Sequence, residues 1–290
     1  MKALILINTL ARQGRSEFDE ALDVLRTGGI DFQLHIRDRI SEIPAIVADM
    51  GRTFDLVILG GGDGTFNAAV ESVLAVQRPL GILPLGTAND LARSMGIALS
   101  LTEAARTIVQ GNIRHIDLGW VNGKHYFNVA SIGLAAGLRP MMTRARKRRW
   151  GVLAYPISLL SVYRNSRPFR AHVISNGKVK SSAAIQIAVG NGRHYGGGLV
   201  VHEESAIDDH LLNLYCIQPQ PFRELIRMLP AIKDGAFDDR SGVWVMSGKE
   251  FRVLTGRTKR ISADGEIVSR TPALFKVKSG VLPLFAPARG

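Results

Sequence analysis

The sequence predicts an α/β plus β protein of two domains, a doubly wound α/β domain over residues 1–120 and a mainly antiparallel β-rich domain over residues 121–280. Before residue 121, apolar strand-like runs alternate with helical stretches, which is typical of a parallel sheet covered by helices. Beyond it, short alternating runs are separated by turn signals such as Asn122-Gly123 and Asn176-Gly177. The chain has 290 residues, of which 46% are hydrophobic and 21% charged, so two buried cores are feasible.

The elements of the first domain follow from its hydrophobic pattern. Parallel strands joined by helices bind ligands beyond the strands' carboxyl ends, so the residues that follow each strand are the first candidates for a site. The predicted strands are 2–8, 32–36, 56–59, 81–84 and 113–118, and the predicted helices are 17–27, 41–50 and 102–110.

The stretch FDLVILGGGDGTFNAAV, residues 54–70, organises this domain. It reads as a buried strand, a tight loop at Gly60–Gly64 and a helix from Phe66 onward. Glycines without Cβ atoms allow positive φ and let backbone N–H groups converge on an anion at a helix N-terminus. Asp63 is suited to a Mg²⁺ ion or a substrate hydroxyl, and Thr65 to a helix cap or a phosphate. A plain turn capped by Asp63 is the alternative, and the spacing fits neither a P-loop nor a dinucleotide fingerprint.

A second turn follows the strand at 81–84. Gly86, Thr87, Asn89 and Asp90 offer backbone donors, a hydroxyl, an amide and a carboxylate where a nucleotide could be enclosed from a second side. An ordinary helix cap by Asn89 or Asp90 explains the same residues. Two such turns in one domain favour a phosphate site.

The first strand also leads into a basic loop. Asn8, Arg12 and Arg15 are therefore candidates for nucleotide contact, although a solvated surface loop explains the two arginines equally well. The net charge of +12 and the pI near 10.2 favour an anionic partner in general.

Composition restricts the class of protein further. Cys216 is the single cysteine and lies in an apolar strand-like run, which excludes an intramolecular disulfide framework and favours a buried structural thiol in a reducing compartment. No secretory signal and no apolar run of about 20 residues is visible, so we expect a soluble, cytoplasmic protein.

No G-x-S-x-G elbow supports a serine hydrolase. The seven histidines show no metal-ligand spacing, although His194 and His202 flank a glycine turn and could face a cleft.

The segment from Arg139 to Arg170 is the most polarised of the sequence. A basic cluster, Arg144–Arg149, precedes the uncharged and aromatic stretch Trp150–Tyr163. This combination favours peripheral attachment to an anionic membrane surface. A core helix with a solvated basic start is the alternative, and no helix-turn-helix, zinc-finger or RNA-binding motif supports nucleic acid as the partner.

The motifs together resemble the diacylglycerol kinase catalytic-domain family, which includes bacterial soluble lipid kinases and eukaryotic diacylglycerol, sphingosine and ceramide kinases. GGGDGTFN followed by LPLGTANDLAR carries the resemblance, and blocks at 128–138, 189–215 and 262–268 follow in the family's order, so it covers nearly the whole chain. It implies a nucleotide-binding α/β domain of the NAD kinase/diacylglycerol kinase type, a β-sandwich-like second domain with the site in the cleft between, and a last segment, 281–290, that returns to the first domain. The GGDGT loop is shared with NAD kinases.

The resemblance also implies roles for single residues. ATP is the implied nucleotide, Asp63 would lie beside the catalytic Mg²⁺, and Asp264 would act as the general base that takes the proton of the acceptor hydroxyl. A hairpin turn is the alternative for Asp264, because Asp-Gly is a preferred turn pair. The residues that would bind the nucleotide are Asn8, Gly61, Gly62, Gly64, Thr65, Gly86, Thr87, Asn89 and Glu266.

A second metal site is implied at Asp208 and Asp209, with the backbone carbonyl near Leu211, where relatives hold a structural Mg²⁺. Here the sequence departs from the family, because His210 stands where glycine is usual and Asn213 where aspartate is common.

The sequence thus predicts an ATP- and Mg²⁺-dependent lipid kinase that works peripherally at the inner, cytoplasmic membrane surface. Diacylglycerol is the default acceptor, with phosphatidylglycerol and sphingoid bases as alternatives. An NAD kinase and a catalytically inactive nucleotide- or lipid-binding regulatory protein are the rival functions. The identity of the lipid and the question of a homodimer stay open.

Overall fold

The computed structural model describes residues 1–8, 15–134, 167–191, 194–195, 199–200, 207–227 and 242–288. It confirms the predicted fold class: an N-terminal α/β half is followed by an antiparallel, sandwich-like β half. The basic and aromatic segment 144–163, Arg12, His202 and the side chains of Arg15 and His194 lie outside the described part.

The first half alternates strands and helices as the hydrophobic pattern predicts. Its helices are amphipathic or apolar, and their buried faces cover the sheet. In chain order its elements are β1 (Lys2–Asn8), α1 (Arg15–Thr27), β2 (Asp31–Arg37), α2 (Ile43–Met50), β3 (Leu56–Gly61), α3 (Asp63–Val76), β4 (Leu80–Pro84), α4 (Asp90–Ser94), α5 (Leu101–Gln110) and β5 (Ile113–Val121).

The parallel strands of this half are ordered β2-β1-β3-β4. The chain goes from β1 outward to β2 and then returns to the other side of β1 with β3. The carboxyl ends of β1 and β3 therefore meet at a topological switch point, where ligands bind in open α/β sheets. Asn8 ends β1 and Gly61 ends β3.

The second half consists mainly of antiparallel strands. Its elements are β6 (Lys124–Tyr126), β7 (Val129–Gly133), β8 (Phe169–Ser175), β9 (Lys178–Ala184), β10 (Gln186–Gly190), β11 (His194–Tyr195), β12 (Leu199–Val200), β13 (Leu212–Ile217), α6 (Phe222–Arg227), β14 (Val243–Gly248), β15 (Glu250–Thr255), β16 (Arg260–Ala263), β17 (Glu266–Arg270) and β18 (Ala273–Phe285). Two sheets pack face to face: β8, β15 and β18 of one and β7, β10, β13 and β16 of the other bury alternate residues in a shared core that includes Phe251, Phe275 and Ile187. β11 and β12 form a separate two-stranded sheet.

The last strand joins the two halves. β18 is 13 residues long and pairs antiparallel with β15 over its first residues and with β5 along both of its ends. Near its end, Leu284 pairs with Leu80 of β4 in parallel. One strand thus belongs both to the α/β sheet and to the sandwich.

Three two-residue hairpins follow the predicted turn chemistry. Asn122-Gly123 joins β5 to β6, Asn176-Gly177 joins β8 to β9, and Asp264-Gly265 joins β16 to β17. All six residues have positive φ, which matches the twist of a hairpin and which Asn, Asp and Gly tolerate best.

The buried cysteine agrees with the expectation from composition. Cys216 lies in β13 with no exposed surface, and burial raises the pKa of its thiol to about 12. Among the helices that the structure describes, none has both the length and the apolarity required to cross a membrane.

Candidate active site

The switch point of the α/β sheet brings two of the predicted residues into contact. Asn8, at the end of β1, donates a hydrogen bond from Nδ2 to Oγ1 of Thr65 in the first turn of α3, over 3.3 Å. Both side chains are buried. This contact ties the end of the first strand to the beginning of the helix that follows β3.

The glycine stretch is more regular than the tight loop expected at Gly60–Gly64. β3 continues through Gly61, α3 begins at Asp63, and only Gly62 lies between them as the N-cap. None of these glycines has a positive φ, so backbone conformation does not explain them. Close packing does, because a Cβ on Gly60 would collide with the Ile7 side chain, and a Cβ on Gly61 with the Thr65 side chain.

The two predicted phosphate turns approach each other through their glycines. A Cβ on Gly62 would lie 3.0 Å from the Gly86 Cα, and a Cβ on Gly86 would lie 2.5 Å from the Gly62 Cα. Gly64 is different, since a Cβ there would meet no atom within 4 Å. The first turn of α3 therefore borders open space at Gly64.

Asn89 holds the second turn closed. Its Oδ1 accepts a hydrogen bond from the Gly86 N–H and its Nδ2 donates to the Gly86 carbonyl, each over 2.9 Å. The residue adopts the left-handed conformation, with φ of 50°, which asparagine tolerates. Thr87 is exposed at the tip of this turn. Across the two turns, Asp63 Oδ1 accepts a hydrogen bond from the Leu91 N–H over 3.1 Å.

Asp264 lies in the β16–β17 hairpin turn, and its carboxylate points into the protein. It accepts hydrogen bonds from three consecutive backbone amides, those of Phe127 at 2.7 Å and of Asn128 and Val129 at 3.0 Å each. Only 7% of the residue is exposed. We call residues 127–129 the amide cradle.

The environment of Asp264 changes its acidity. Burial, the largest cause, raises the pKa of this carboxyl to about 6, the cradle amides act in the opposite direction, and the negative charge of Asp63 raises it further. The structure therefore brings Asp63 and Asp264 close enough to interact, although they are 201 positions apart. A buried carboxyl with a pKa near neutrality suits a general base.

Sequence reasoning missed the partners of Asp264. Backbone amides carry no residue-type signal, so nothing in the letters FNV marks the cradle. Asn191 was missed too: its Nδ2 donates to the carbonyls of Phe127 and Asp117, each over 2.9 Å, and so supports the cradle from behind. Tyr126 is fully buried beside it, and burial together with the charge of Asp264 raises the pKa of its phenol well above the usual value.

The acidic turn at 207–211 is bound to β5. Asp208 forms an ion pair with Arg114 over 2.7 Å, and Asp209 accepts a hydrogen bond from the Leu211 N–H over 2.9 Å. His210 donates its backbone N–H to the Asp117 carboxylate over 2.6 Å, and its ring Nδ1 lies 3.0 Å from Oδ1 of the same carboxylate. Its φ is 61°, a conformation that glycine adopts most easily.

The predicted structural Mg²⁺ at this turn stays a prediction. Asn213, the other departure from the family pattern, accepts a hydrogen bond on Oδ1 from Ser247 across the β13–β14 pair. Within the described residues, no three His, Cys, Asp or Glu side chains converge as a metal-binding group. Glu266 is exposed at the start of β17, two residues from Asp264.

The arrangement fits a nucleotide and a divalent cation. Phosphates bind at helix N-termini, where backbone N–H groups point at the ligand, and the open side of Gly64 leaves room for one in the first turn of α3. Asp63, whose negative charge acts on the Asp264 carboxyl, offers the hard oxygen ligands that Mg²⁺ prefers. Groups of these kinds can together support phosphoryl transfer to a hydroxyl.

Comparison with known proteins assigns each half of the chain to a family model. Residues 2–121 match the diacylglycerol kinase catalytic domain, and residues 128–286 match the YegS C-terminal NAD kinase beta sandwich-like domain. The resemblance inferred from the motifs is confirmed.

Individual relatives cover most of the chain. A protein from Klebsiella pneumoniae (strain 342), named "Probable lipid kinase YegS-like", is 33% identical over 86% of this chain and 84% of its own. A diacylglycerol kinase from Mycobacterium tuberculosis (strain ATCC 25618 / H37Rv) is 30% identical over 84% of this chain and 81% of its own. A solved diacylglycerol kinase from Bacillus anthracis str. Sterne superposes with a TM-score of 0.78 at 20% identity, over 99% of this chain and 97% of that one, and so shows the same fold.

Proposed function

Because this chain belongs to the diacylglycerol kinase catalytic-domain family, we propose that it transfers the γ-phosphoryl group of ATP to the hydroxyl of a lipid. One observation carries the proposal: the buried Asp264 carboxylate is held by three backbone amides and interacts electrostatically with Asp63, the residue that begins α3 after the first glycine turn. A phosphate donor and an acceptor hydroxyl would meet between these groups.

Asp264 acts on the acceptor in this proposal. With a pKa of about 6 the carboxylate is mostly ionised at pH 7 and can accept the proton of the attacking hydroxyl at one of its oxygens. The cradle amides fix the orientation of the carboxylate. They belong to the backbone, so the donors cannot rotate as those of a side chain could. Proton transfer to a positioned base contributes roughly 10²- to 10⁴-fold to a rate.

The donor would lie along the two turns. The N–H groups at the beginning of α3 would bind the ATP phosphates, and Asn8, Thr65, Gly86, Thr87 and Asn89 would border the nucleotide. Mg²⁺, bound beside Asp63, would neutralise charge on the phosphates. Asp63 itself also fixes the second turn through the Leu91 N–H, so it would align both turns on the donor.

The pH dependence of the reaction follows from the state of Asp264. We expect kcat/KM to rise with pH along a single acid limb with an apparent pKa of about 6, because only the ionised carboxylate accepts a proton. In Asp63→Asn, the acid limb in the pH profile of the residual activity should shift to lower pH, because the replacement removes the negative charge that raises the pKa of Asp264. A limb that stays in place in Asp63→Asn would contradict the coupling of the two carboxylates.

The acceptor lipid is tested by label transfer. γ-Phosphate-labelled ATP and Mg²⁺ are supplied with diacylglycerol, phosphatidylglycerol, sphingosine or ceramide in mixed micelles, with NAD as a soluble control. The names of the relatives make diacylglycerol the first expectation. Label in one lipid supports the proposal and names the acceptor, label in NAD moves the assignment to an NAD kinase, and nucleotide binding without transfer to any acceptor favours a regulatory protein.

We further propose that the reaction takes place at the cytoplasmic face of an anionic membrane, where it would serve lipid metabolism. The basic cluster 144–149 and the net charge of +12 support attraction to such a surface. The same assay in vesicles measures it: transfer should be faster in phosphatidylcholine vesicles that contain phosphatidylserine than in pure phosphatidylcholine, and the difference should disappear at high salt. Equal rates in both vesicles would contradict the proposal.

A further inference from the structure

Helix α3 of the first domain contacts β6 of the second through one acidic side chain. Glu71 Oε1 accepts a hydrogen bond from the backbone N–H of His125, and its Oε2 lies 3.0 Å from the ring Nδ1 of the same residue. The backbone bond also measures 3.0 Å. One carboxylate thus holds both the main chain and the side chain of a single residue across the junction of the two domains.

The position of Glu71 on its helix relates this contact to the site. Asp63, Asn67 and Glu71 follow each other at four-residue intervals, so they share one face of α3. Asp63 begins the helix beside the phosphate turns, and Glu71 lies about 12 Å further along it. The same helix therefore carries the acidic residue of the donor side at one end and the contact with β6 two turns later.

On the other side of the contact, β6 leads directly to the amide cradle. Tyr126 alone separates His125 from Phe127, the first residue whose N–H binds Asp264. An extended residue advances the chain by about 3.3 Å, so only about two such steps separate His125 from the first cradle residue. A shift of His125 therefore acts on the chain that enters the cradle. Asn191 holds the cradle itself from within the second domain, whereas Glu71, on the first domain, holds His125, two residues before the cradle.

The charge state of Glu71 agrees with this role. The hydrogen bond with the His125 side chain lowers the pKa of the Glu71 carboxyl. Partial burial opposes this effect, and the His125 N–H and Lys124 add to it. The carboxylate is therefore ionised at neutral pH, and its ionised form is the one that binds His125 best.

We propose that Glu71 is a positioning residue, which through His125 sets the distance between the donor side of the site at Asp63 and the base Asp264. The inference rests on the proposed kinase function, but the contacts that carry it lie away from the reacting groups. Glu71 lies about 12 Å along α3 from Asp63, and it acts through the main chain that presents the cradle amides.

The kinetic test compares three variants at the contact. Glu71→Ala removes both bonds, so we expect kcat to fall about tenfold, because small misplacements of reacting groups are costly. The Kd for ATP should stay within about twofold, because the phosphate turns are untouched. Glu71→Gln keeps an acceptor for the His125 N–H and a donor for its ring and should restore most of kcat, while His125→Ala, which keeps only the backbone bond, should be intermediate.

Glu103→Ala is the matched control. It removes a glutamate of similar exposure, 52% against 43% for the Glu71 side chain, from another helix of the same domain, where it pairs with Arg106 at the surface. We expect no change in kcat. Equal losses in Glu103→Ala and Glu71→Ala, or an unchanged kcat in Glu71→Ala, would overturn the proposal.

Amide hydrogen exchange gives a readout that does not require the kinase activity. In Glu71→Ala, peptides that cover 125–129 should exchange several-fold faster, because the cradle loses its anchor on α3, while peptides from β13 should exchange at the parent rate. If the parent protein phosphorylates no lipid but Glu71→Ala still exchanges faster at 125–129, the structural coupling stands and the proposed function is rejected. Unchanged exchange at 125–129 would reject the coupling itself.

Discussion

Replacement of Asp264 by asparagine is expected to lower kcat by roughly 10²- to 10⁴-fold, the contribution of a positioned base. The change removes the basic oxygen and preserves size and turn preference, because asparagine also tolerates the positive φ of 43° at this position. The Kd for ATP should not change, since the carboxylate contacts the cradle and not the phosphate turns. Single-turnover label transfer and ATP titration of the same preparation measure both quantities.

Stability provides the control for this variant. The pKa of Asp264 is raised from 3.8 to about 6 in the folded protein, so the stabilisation from this group is complete below pH 3.8 and is lost as pH rises through 6. At pH 7 the ionised, buried carboxylate therefore costs free energy. The cost is of order 3 kcal/mol at most, from about 1.4 kcal/mol per pKa unit, and the neutral amide removes it.

We accordingly expect Asp264→Asn to unfold at the same temperature as the parent at pH 7 or at a higher one. The loss of an acceptor for the Phe127 N–H partly offsets the gain. An inactive variant that unfolds well below the parent would show that Asp264 serves the hairpin and not the chemistry. A variant with full activity would exclude Asp264 as the base.

Gly86→Ala is expected to abolish tight ATP binding and to destabilise the first domain. The new methyl group would lie 2.5 Å from the Gly62 Cα and 2.6 Å from the Asn89 Oδ1. The first contact is with backbone and cannot be relieved by rotation of a side chain, so the two turns must separate. Forced overpacking of this kind costs about 1–3 kcal/mol. Chemical denaturation and ATP titration test the two effects.

Gly64→Ala is the matched comparison in the same stretch. Nothing lies within 4 Å of its added methyl group, and the residue is helical, so the free energy of unfolding should stay the same or rise by up to about 1 kcal/mol. ATP binding should nevertheless weaken about tenfold or more if the phosphates occupy this space. Parent-like ATP affinity in Gly64→Ala would contradict the proposed course of the donor.

The sequence by itself determined the family, the order of the elements and the turn chemistry of this protein. Apolar periodicity predicted the strands and helices of the first half, because one buried face per element leaves a local pattern. The pairs Asn122-Gly123 and Asn176-Gly177 predicted hairpins, because few residues accept positive φ. Asp63 and Asp264 were candidates through motifs, and their roles in catalysis remain predictions.

Only the tertiary structure decided which distant groups meet. The amides that hold Asp264 come from positions 127–129, and an amide looks alike in every residue, so no letter marks it. Gly60 and Gly61 read as a loop because they lack side chains, yet they continue β3 because the side chains of Ile7 and Thr65 fill the space that their Cβ atoms would need. The proximity of Gly62 to Gly86 and of Glu71 to His125 likewise arises from packing between segments. Composition and periodicity describe single segments, whereas close contact is a property of pairs and appears only when the chain is folded.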